Sequence, residues 1–238
     1  MHALVLNLDR DLERYTAFLD ATKHVHWVNF GRVPAVYGRE LPTYALAEIS
    51  KSKGWAAKRG EIGCFLSHIK AWEIVAKCGA RLILEDDAVP VNIDRLADLV
   101  IPDDVELLFV NDRAAASPSD FRQALECRPI RDTLATLERT RRGVGGDGYV
   151  LFPSGAQKML EAVERDGCFG HVDWRMLRYG ISREQVEAEF PGTRVADLLM
   201  NHHHPTMPPQ WGIVNAMCLN FPVVAAGVTT SSRENANV

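Results

Sequence analysis

The sequence predicts an α/β fold, in which strands alternate with helices, and three observations support this class. An apolar strand over residues 2–8 is followed at once by a segment whose apolar residues have helical spacing. A long amphipathic segment, 61–77, leads directly into another apolar strand, 82–84. Three adjacent carboxylates follow that strand, and ligands of open α/β sheets bind outside the carboxyl ends of strands. We therefore expect a layered molecule with a site at the end of strand 82–84.

The first elements follow from local patterns. Strand 2–8 leads into a helix that Asp9 is expected to cap, and a second strand is expected within 24–33. A short helix follows, with Thr43 as its expected cap and Gly54 at its end. These elements begin with a βα unit.

The next elements are the clearest in the chain. Apolar residues recur at helical spacing through 61–77, and Gly79 is expected to stop this helix before strand 82–84. A further helix is expected after Asn92, followed by a buried strand over 105–110.

The second half of the chain gives weaker signals. Residues 139–148 contain four glycines and are expected to form an irregular loop. The regular elements expected here are a helix starting at Ser117, a strand 149–152, a helix 154–165 ended by Gly167, and helices 173–179 and 182–190. A proline-rich segment, 205–209, and a frayed tail after Ser231 complete the chain.

Length and composition are those of a globular protein. The chain has 238 residues, of which 47% are hydrophobic and 24% charged, enough for a sizeable core. Its apolar runs are shorter than the roughly 20 residues of a membrane span, and residues 1–7 lack the features of a signal peptide. We therefore expect a cytoplasmic protein.

The net charge and the cysteines exclude other classes. The net charge of -4 disfavours a nucleic-acid partner. Five cysteines without CxxC spacing predict neither disulfides nor a zinc finger.

The acidic triplet Glu85-Asp86-Asp87 is the strongest chemical signal. In an extended chain alternate side chains share a face, so Glu85 and Asp87 are expected to project together and Asp86 to point the other way. Such a pair of carboxylates suits Mg²⁺ or Mn²⁺ holding a diphosphate. A solvated acidic turn is the alternative for an isolated triplet.

Three segments in order resemble one known family. They are Asn-Leu-Asp-Arg at 7–10, Glu-Ile-Gly-Cys-Phe-Leu-Ser-His at 61–68, and Leu-Ile-Leu-Glu-Asp-Asp-Ala at 82–88. Together they resemble the family 25 glycosyltransferases, which include bacterial lipopolysaccharide and lipooligosaccharide galactosyltransferases and collagen galactosyltransferase domains. The Gly-Tyr-Val-Leu segment at 148–151 and the Val-Asp pair at 172–173 extend the resemblance, which covers residues 3–173.

The resemblance implies a GT-A-type glycosyltransferase with a Rossmann-like mixed sheet flanked by helices. It implies a single domain over 1–238, with a donor-binding part at about 1–112 and an acceptor-side part at about 113–230. The implied reaction moves a sugar, with galactose favoured, from a UDP-sugar to a hydroxyl of a surface-glycan or glycolipid acceptor. Inversion at the anomeric carbon, a Mn²⁺ or Mg²⁺ ion and contact with the inner face of the membrane are further expectations.

Residue roles follow from matching positions. The metal is assigned to Asp87 and Glu85, and the donor to Asn7, Leu8, Arg10, Glu61, Ser67, His68, Glu85 and Asp86. For Arg10 a solvated position on the first helical turn is an equal alternative, and for Glu61 a helix cap is a rival role. Asp86 is left open between metal and sugar contact.

An inverting transfer needs a base on the acceptor side. Asp173 is the first candidate and Asp147 the second, although Asp147 departs from the family pattern and has a specificity role or a plain loop position as alternatives. The run His202-His203-His204 suggests a metal ligand, but adjacent histidines point in different directions and a surface role is favoured.

Two other function classes stay open. A sugar nucleotidyltransferase also uses carboxylates and metal on an α/β sheet, but no glycine-rich phosphate loop with a basic residue follows the first strand. A non-catalytic GT-A-like binding module is the other, because the last third of the chain departs from the family pattern. Donor hydrolysis separates an enzyme from such a module, and pyrophosphate release would favour a nucleotidyltransferase.

Overall fold

A computed structural model describes residues 1–52, 58–117, 122–201 and 210–227. Within these ranges the strands are β1 His2–Asn7, β2 Asn29–Pro34, β3 Arg81–Glu85, β4 Ala88–Pro90, β5 Leu107–Phe109, β6 Cys127–Pro129, β7 Gly148–Leu151, β8 Ala216–Leu219 and β9 Val224–Ala226. The helices are α1 Leu12–Thr22, α2 Thr43–Ser50, α3 Arg59–Cys78, α4 Arg131–Thr140, α5 Pro153–Asp166, α6 Val172–Tyr179, α7 Arg183–Glu189 and α8 Arg194–Asn201.

Seven of the described strands form one mixed sheet in the order β2-β1-β3-β7-β5-β8-β6, and β4 pairs with β9 in a small second sheet. Strand β1 is parallel to β2 and β3, and β5 is parallel to β8. Strand β7 is antiparallel to both of its neighbours, β3 and β5. The predicted α/β class, a Rossmann-like mixed sheet flanked by helices, is confirmed.

This topology brings distant segments to one edge of the sheet. Because β7 runs against β3 and β5, it begins at the edge where those strands end. Asn7 ends β1, Glu85 ends β3 and Asp147 immediately precedes β7, so all three lie at this edge. The backbone N–H of Glu85 donates to the carbonyl of Asp147 at 3.3 Å.

Both faces of the central strands β3, β7 and β5 are buried, which explains why these strands are largely apolar. Along β3, Ile83 packs in the larger core, on the side of α3, α5 and α6. Leu82 and Leu84 pack in a second core with Phe18 of α1. Among the described residues, no helix is long and apolar enough to cross a bilayer.

Two helices that end at glycine were predicted well. Helix α3 stops at Gly79, whose φ is +92°, and α5 stops at Gly167, whose φ is +72°. L residues with side chains rarely adopt such φ values, so glycine fits these helix ends. Helices α6 and α7 also match their predictions, and Ser182 and Gln185 form a capping box at the start of α7.

Two predicted helix caps are wrong. Asp9 lies in a 3₁₀ turn before α1, and its carboxylate pairs with Arg32 instead of capping the helix. Thr43 is the first residue of α2, and its hydroxyl accepts a hydrogen bond from Arg59 at 2.8 Å. In both cases an arginine from another element takes the oxygen that a cap would use.

Other boundaries differ from the predictions. Helix α2 ends at Ser50, and the predicted end at Gly54 lies outside the described residues. The helix expected after Asn92 is a 3₁₀ turn, and the strand expected at 105–110 is shortened to β5. The predicted loop 139–148 overlaps the end of α4. This helix was missed together with α8, β4, β6, β8 and β9.

Several predictions fall partly or wholly outside the described residues. The helix expected from Ser117 would begin in the undescribed segment 118–121, and residues 122–126 after it are not helical. The histidines at 202–204, the proline-rich segment 205–209 and the tail after Ser231 also lie outside the described ranges.

Candidate active site

A cleft of about 430 Å³ opens at the carboxyl ends of β1 and β3. This volume lies within the range of pockets that hold small organic ligands. Its walls come from the segment after β1, helix α1, the loop after β2, the first turns of α3 and the end of β3. The predicted donor residues that line it are Leu8, Glu61, Ser67, His68, Glu85 and Asp86, together with Asp87.

Two carboxylates that line this cleft, those of Glu85 and Asp87, form a cluster with a third, that of Asp147. One oxygen from each of Glu85, Asp87 and Asp147 lies within 4.8 Å of the others. Hard oxygen ligands of this kind suit Mg²⁺ or Mn²⁺, and a divalent cation would offset the mutual repulsion of three close carboxylates further than Arg113 and Arg14 already do. These residues therefore fit the implied metal.

Asp147 is the most buried member of this cluster, at 5% exposed. Burial, followed by the negative charge of Glu85, raises the pKa of Asp147 to about 6. The guanidinium of Arg113 pairs with Asp147 and offsets part of this effect. Asp147 was predicted as a second candidate base, and the geometry places it beside Glu85 and Asp87, the predicted metal ligands.

Asp86 points away from the cluster and toward α1. It accepts a hydrogen bond from Asn7 Nδ2 at 2.8 Å, and it pairs with Arg14 Nη2 at 2.6 Å. Burial raises the pKa of Asp86 despite these two contacts. Asp86 therefore joins β3 to β1 and α1.

The side chain of Asn7 makes several contacts within the protein. Its Nδ2 atom also donates to the carbonyl of Asp11 at 2.8 Å, and its Oδ1 atom accepts from Arg32 Nε at 2.8 Å. Asn7 is 1% exposed. In this arrangement Asn7 holds Asp86 in place, and its predicted contact with the donor stays a prediction.

The arginine of α1 that reaches the acidic triplet is Arg14. Its Nη2 atom lies 3.5 Å from Asp87 Oδ2, and Arg14 lines the cleft. The predicted donor residue Arg10 instead stacks on the ring of Tyr37, with 4.0 Å between its Cζ atom and the ring centroid. Sequence reasoning missed Arg14, although its spacing of four from Arg10 places both on one side of a helix.

Glu61 and Ser67 have different surroundings at the start of α3. Glu61 lines the cleft, with its Oε1 atom 3.9 Å from Lys58 Nζ. Ser67 accepts a hydrogen bond from the backbone N–H of Val36 at 2.8 Å and donates to the carbonyl of Gly63 at 2.7 Å. Ser67 thereby fastens the loop after β2 to α3 and shapes one wall of the cleft.

His68 is fully buried behind the acidic cluster. Its Nδ1 atom lies 2.8 Å from Tyr149 Oη, and its Nε2 atom lies 3.5 Å from Glu85 Oε1. The indole N–H of Trp72 donates to the same hydroxyl at 2.8 Å. Burial raises the pKa of Tyr149 well above its usual value, so this phenol keeps its proton. Neither Tyr149 nor Trp72 was predicted as a site residue.

A glycine-containing loop covers the other side of the cluster. A side chain at Gly146 would place its Cβ atom 2.8 Å from Glu85 Oε1 and 3.0 Å from His68 Nε2, so a larger residue here would require Glu85 to shift. The neighbouring Gly145 donates its backbone N–H to Asp173 Oδ2 at 2.9 Å.

Asp173 and Asp147 reach the same small cavity. The cavity measures about 60 Å³, and its charged lining residues include Glu61, Glu85, Arg113, Asp147 and Asp173. Asp173 Oδ1 also accepts from the backbone N–H of Trp174 at 2.9 Å, which fixes the carboxylate at the start of α6. The two candidate bases from the sequence are therefore close in space, with Asp147 nearer to the cation ligands.

A second set of possible ligands overlaps the first. Cys64, His68 and Glu85 also bring one ligand atom each within 4.8 Å of the others. A thiolate and an imidazole suit zinc better than magnesium or manganese. The two sets share Glu85, so a cation in one competes with a cation in the other.

The comparisons with known proteins assign the class. A glycosyltransferase family model matches residues 1–169, about seven-tenths of the chain, and the protein is a glycosyltransferase. It belongs to glycosyltransferase family 25, which is described as a family of LPS biosynthesis proteins. The resemblance found in the sequence is confirmed. No curated protein sequence matches the chain significantly.

Two solved structures resemble the chain weakly. One is a glycosyltransferase involved in the glycosylation of the major capsid of the virus PBCV-1, with 9% identity, a TM-score of 0.38, and coverage of 98% of this chain and 95% of that one. The other is an active-site mutant of LgtC, with 10% identity, a TM-score of 0.39, and coverage of 99% and 93%. These TM-scores are too low to support conclusions about the site.

Proposed function

We propose that the protein transfers a sugar from a UDP-sugar, with galactose favoured, to a hydroxyl of a surface-glycan or glycolipid acceptor. Mn²⁺ or Mg²⁺ is the proposed cofactor, and inversion at the anomeric carbon is the proposed outcome. One observation carries the proposal: in a family 25 chain, Glu85 and Asp87 line a ligand-sized cleft and form one carboxylate cluster with Asp147. Action in the cytoplasm, at the inner face of a membrane, stays a prediction.

The donor is proposed to lie along the cleft with its diphosphate toward the acidic cluster. Glu85, Asp87 and Asp147 would hold the cation, which when bound neutralises charge on the diphosphate leaving group. Arg14 and Lys58 add positive charge to the same walls. An anionic donor is thus met by cations from the protein as well as by the metal site.

The acceptor is proposed to enter beside the glycine-containing loop. Asp173 is the proposed base that takes the proton of the attacking hydroxyl. Support comes from its position, because it lines the cavity that also reaches Asp147 and Glu85. Asp147 is the proposed third metal ligand instead of the base.

A donor screen tests this function. The purified protein is incubated with UDP-galactose, UDP-glucose or UDP-GlcNAc in the presence of Mn²⁺, Mg²⁺ or a chelator, and released UDP is measured. We expect release from at least one donor, and only with metal. Metal-dependent UDP binding without release would favour a binding module, and pyrophosphate release from a nucleoside triphosphate would favour a nucleotidyltransferase. Once an acceptor is added, the proton spectrum of the glycoside product reports whether the anomeric configuration inverts.

A further inference from the structure

A chain of polar side chains runs from the core to the acidic cluster. Trp72, Tyr149 and His68 are fully buried, and Glu85 follows at the edge of the cleft. The two inner contacts, Trp72 Nε1 to Tyr149 Oη and Tyr149 Oη to His68 Nδ1, both measure 2.8 Å. The direction in which the hydrogens point along this chain depends on which groups donate and which accept.

The direction follows from the hydrogens that each group carries. The indole N–H of Trp72 only donates, so Tyr149 Oη accepts from it. The hydroxyl hydrogen of Tyr149 then needs its own acceptor, and within the described part of the chain His68 Nδ1 lies in hydrogen-bonding contact with that hydroxyl. Nδ1 therefore carries no hydrogen, and a neutral imidazole in this state carries its hydrogen on Nε2.

The Nε2 atom of His68 faces Glu85. It lies 3.5 Å from Glu85 Oε1, which is longer than an ordinary N–H···O bond. Among the described residues Nε2 has no hydrogen-bond partner, and a buried N–H without one is unfavourable. The backbone of Gly146 lies beside this contact, because a Cβ atom there would come 2.8 Å from Glu85 Oε1 and 3.0 Å from Nε2.

We propose that His68 is a positioning residue, whose Nε2–H, set by Tyr149 and Trp72, orients the carboxylate of Glu85 toward the cation. This inference rests on the proposed function, because it gives Glu85 the role of a metal ligand. Carboxylates that bind metals are commonly oriented by hydrogen bonds from neighbouring groups. A zinc ion on Cys64 and His68 would need the opposite tautomer, which would leave the Tyr149 hydroxyl hydrogen without its acceptor.

Two variants of His68 distinguish the roles of its two ring nitrogens. The amide nitrogen of His68→Gln lies near the position of Nε2 and keeps a donor toward Glu85, whereas that of His68→Asn lies near Nδ1 and does not. Mn²⁺ affinity is measured without donor by the electron paramagnetic resonance of free Mn²⁺, and melting temperatures show that each variant folds. We expect His68→Asn to bind Mn²⁺ about 10- to 100-fold more weakly than the wild type. His68→Gln should lose only about threefold.

A second comparison tests the part played by Tyr149. Tyr149→Phe removes the group that sets the tautomer, so it should weaken Mn²⁺ binding when residue 68 is histidine. In the His68→Gln background the same substitution should have no further effect, because an amide has no tautomer to set. A purely structural role for Tyr149 would give the same loss in both backgrounds and would overturn the inference.

The tautomer itself is measured by ¹⁵N NMR of the wild-type imidazole above neutral pH, with the His68 signals assigned from their loss in His68→Gln. We expect the hydrogen on Nε2. Three outcomes would each overturn this inference while leaving the proposed function in place. They are a hydrogen on Nδ1, equal Mn²⁺ affinity in the two His68 variants, and zinc binding that His68→Gln abolishes. A wild-type protein that binds no Mn²⁺ would contradict the proposed function, and this role of His68 with it.

Discussion

The acidic triplet at the end of β3 divides into two roles. Glu85 and Asp87 belong to the carboxylate cluster with Asp147, whereas Asp86 accepts a hydrogen bond from Asn7 and pairs with Arg14. This division was predicted from the alternation of side chains in an extended chain, whereas Asp86 and Asp87 lie in the turn between β3 and β4, so the turn sets their directions. The third carboxylate, Asp147, could not be predicted as a partner, because its position depends on β7 lying next to β3.

The raised pKa of Asp147 predicts how metal binding depends on pH. A carboxylate holds a cation only when it is deprotonated, and Asp147 loses its proton near pH 6 instead of near 4. The affinity of the protein for Mn²⁺ should therefore be constant above about pH 6. Below that pH it should fall by up to about tenfold per pH unit. Calorimetric titrations across roughly pH 5 to 8 measure this profile.

The matched variant for this prediction is Asp147→Asn. It should bind Mn²⁺ more weakly throughout, and the step near pH 6 should disappear from its profile. A wild-type profile that stays flat down to about pH 5 would contradict the assignment of Asp147 as a ligand with a raised pKa.

The two arginines near the start of α1, Arg10 and Arg14, have different contacts that the sequence does not predict. Arg10 was predicted to contact the donor because it follows the first strand, with a solvated position on the first helical turn as an equal alternative, and Arg14 was not singled out. Arg10 stacks on Tyr37, and Arg14, one helical turn later, reaches Asp86 and Asp87. The choice depends on where α1 begins, and a 3₁₀ turn before α1 delays that start to Leu12.

Among the helices, the ends that fall at a glycine were predicted correctly. The starts were predicted wrongly where an arginine from another element binds the oxygen expected to cap the helix. Helices α3 and α5 end at glycines with positive φ. The caps expected at Asp9 and Thr43 fail because Arg32 and Arg59 bind their oxygens. A local pattern carries no information about a partner that arrives from another element.

The junction of α5 and α6 depends on one buried carboxylate. Asp166 ends α5 and accepts from Arg165 Nε at 2.6 Å, and it pairs with Arg175 Nη2 of α6 at 3.2 Å. Burial would raise the pKa of Asp166, but hydrogen bonds from Arg165 and Gln210 and the charge of Arg175 lower it below its ordinary value. Arg175 is 3% exposed, so its charge depends on this partner.

Asp166→Asn should therefore destabilise the fold by about 3 kcal/mol at neutral pH, because it leaves a buried guanidinium without its counter-charge. A carboxylate with a lowered pKa stabilises the fold above its unfolded pKa and loses this contribution as the pH falls through the folded value. The difference from wild type should thus shrink below about pH 4. Urea unfolding at neutral and acidic pH measures it.

Glu164→Gln is the control for this prediction, because it changes an exposed carboxylate in the same last turn of α5. Its stability should stay within about 0.5 kcal/mol of wild type. Equal stabilities of the Asp166 and Glu164 variants at neutral pH would show that the buried pair contributes little.

At the scale of the whole molecule, the site is a product of strand order. The predicted donor part, 1–112, supplies Glu85 and Asp87, and the predicted acceptor part, 113–230, supplies Asp147 and Asp173. The α/β class and the edge that carries the site followed from the sequence. The antiparallel insertion of β7 between β3 and β5 did not, because strand order depends on contacts between segments far apart in the chain.

The role of the carboxylate cluster in holding the donor is tested by calorimetric binding of UDP, with and without Mn²⁺, to four proteins: wild type, Asp87→Asn, Asp86→Asn and Asp20→Asn. Asp20 is an exposed carboxylate on α1 and serves as the control. We expect Mn²⁺ to strengthen UDP binding to the wild type, to Asp20→Asn and, to a lesser degree, to Asp86→Asn. Asp87→Asn should bind UDP with the same low affinity whether Mn²⁺ is present or not. Unchanged Mn²⁺-dependent UDP binding by Asp87→Asn would contradict the claim that this carboxylate cluster holds the donor through a cation.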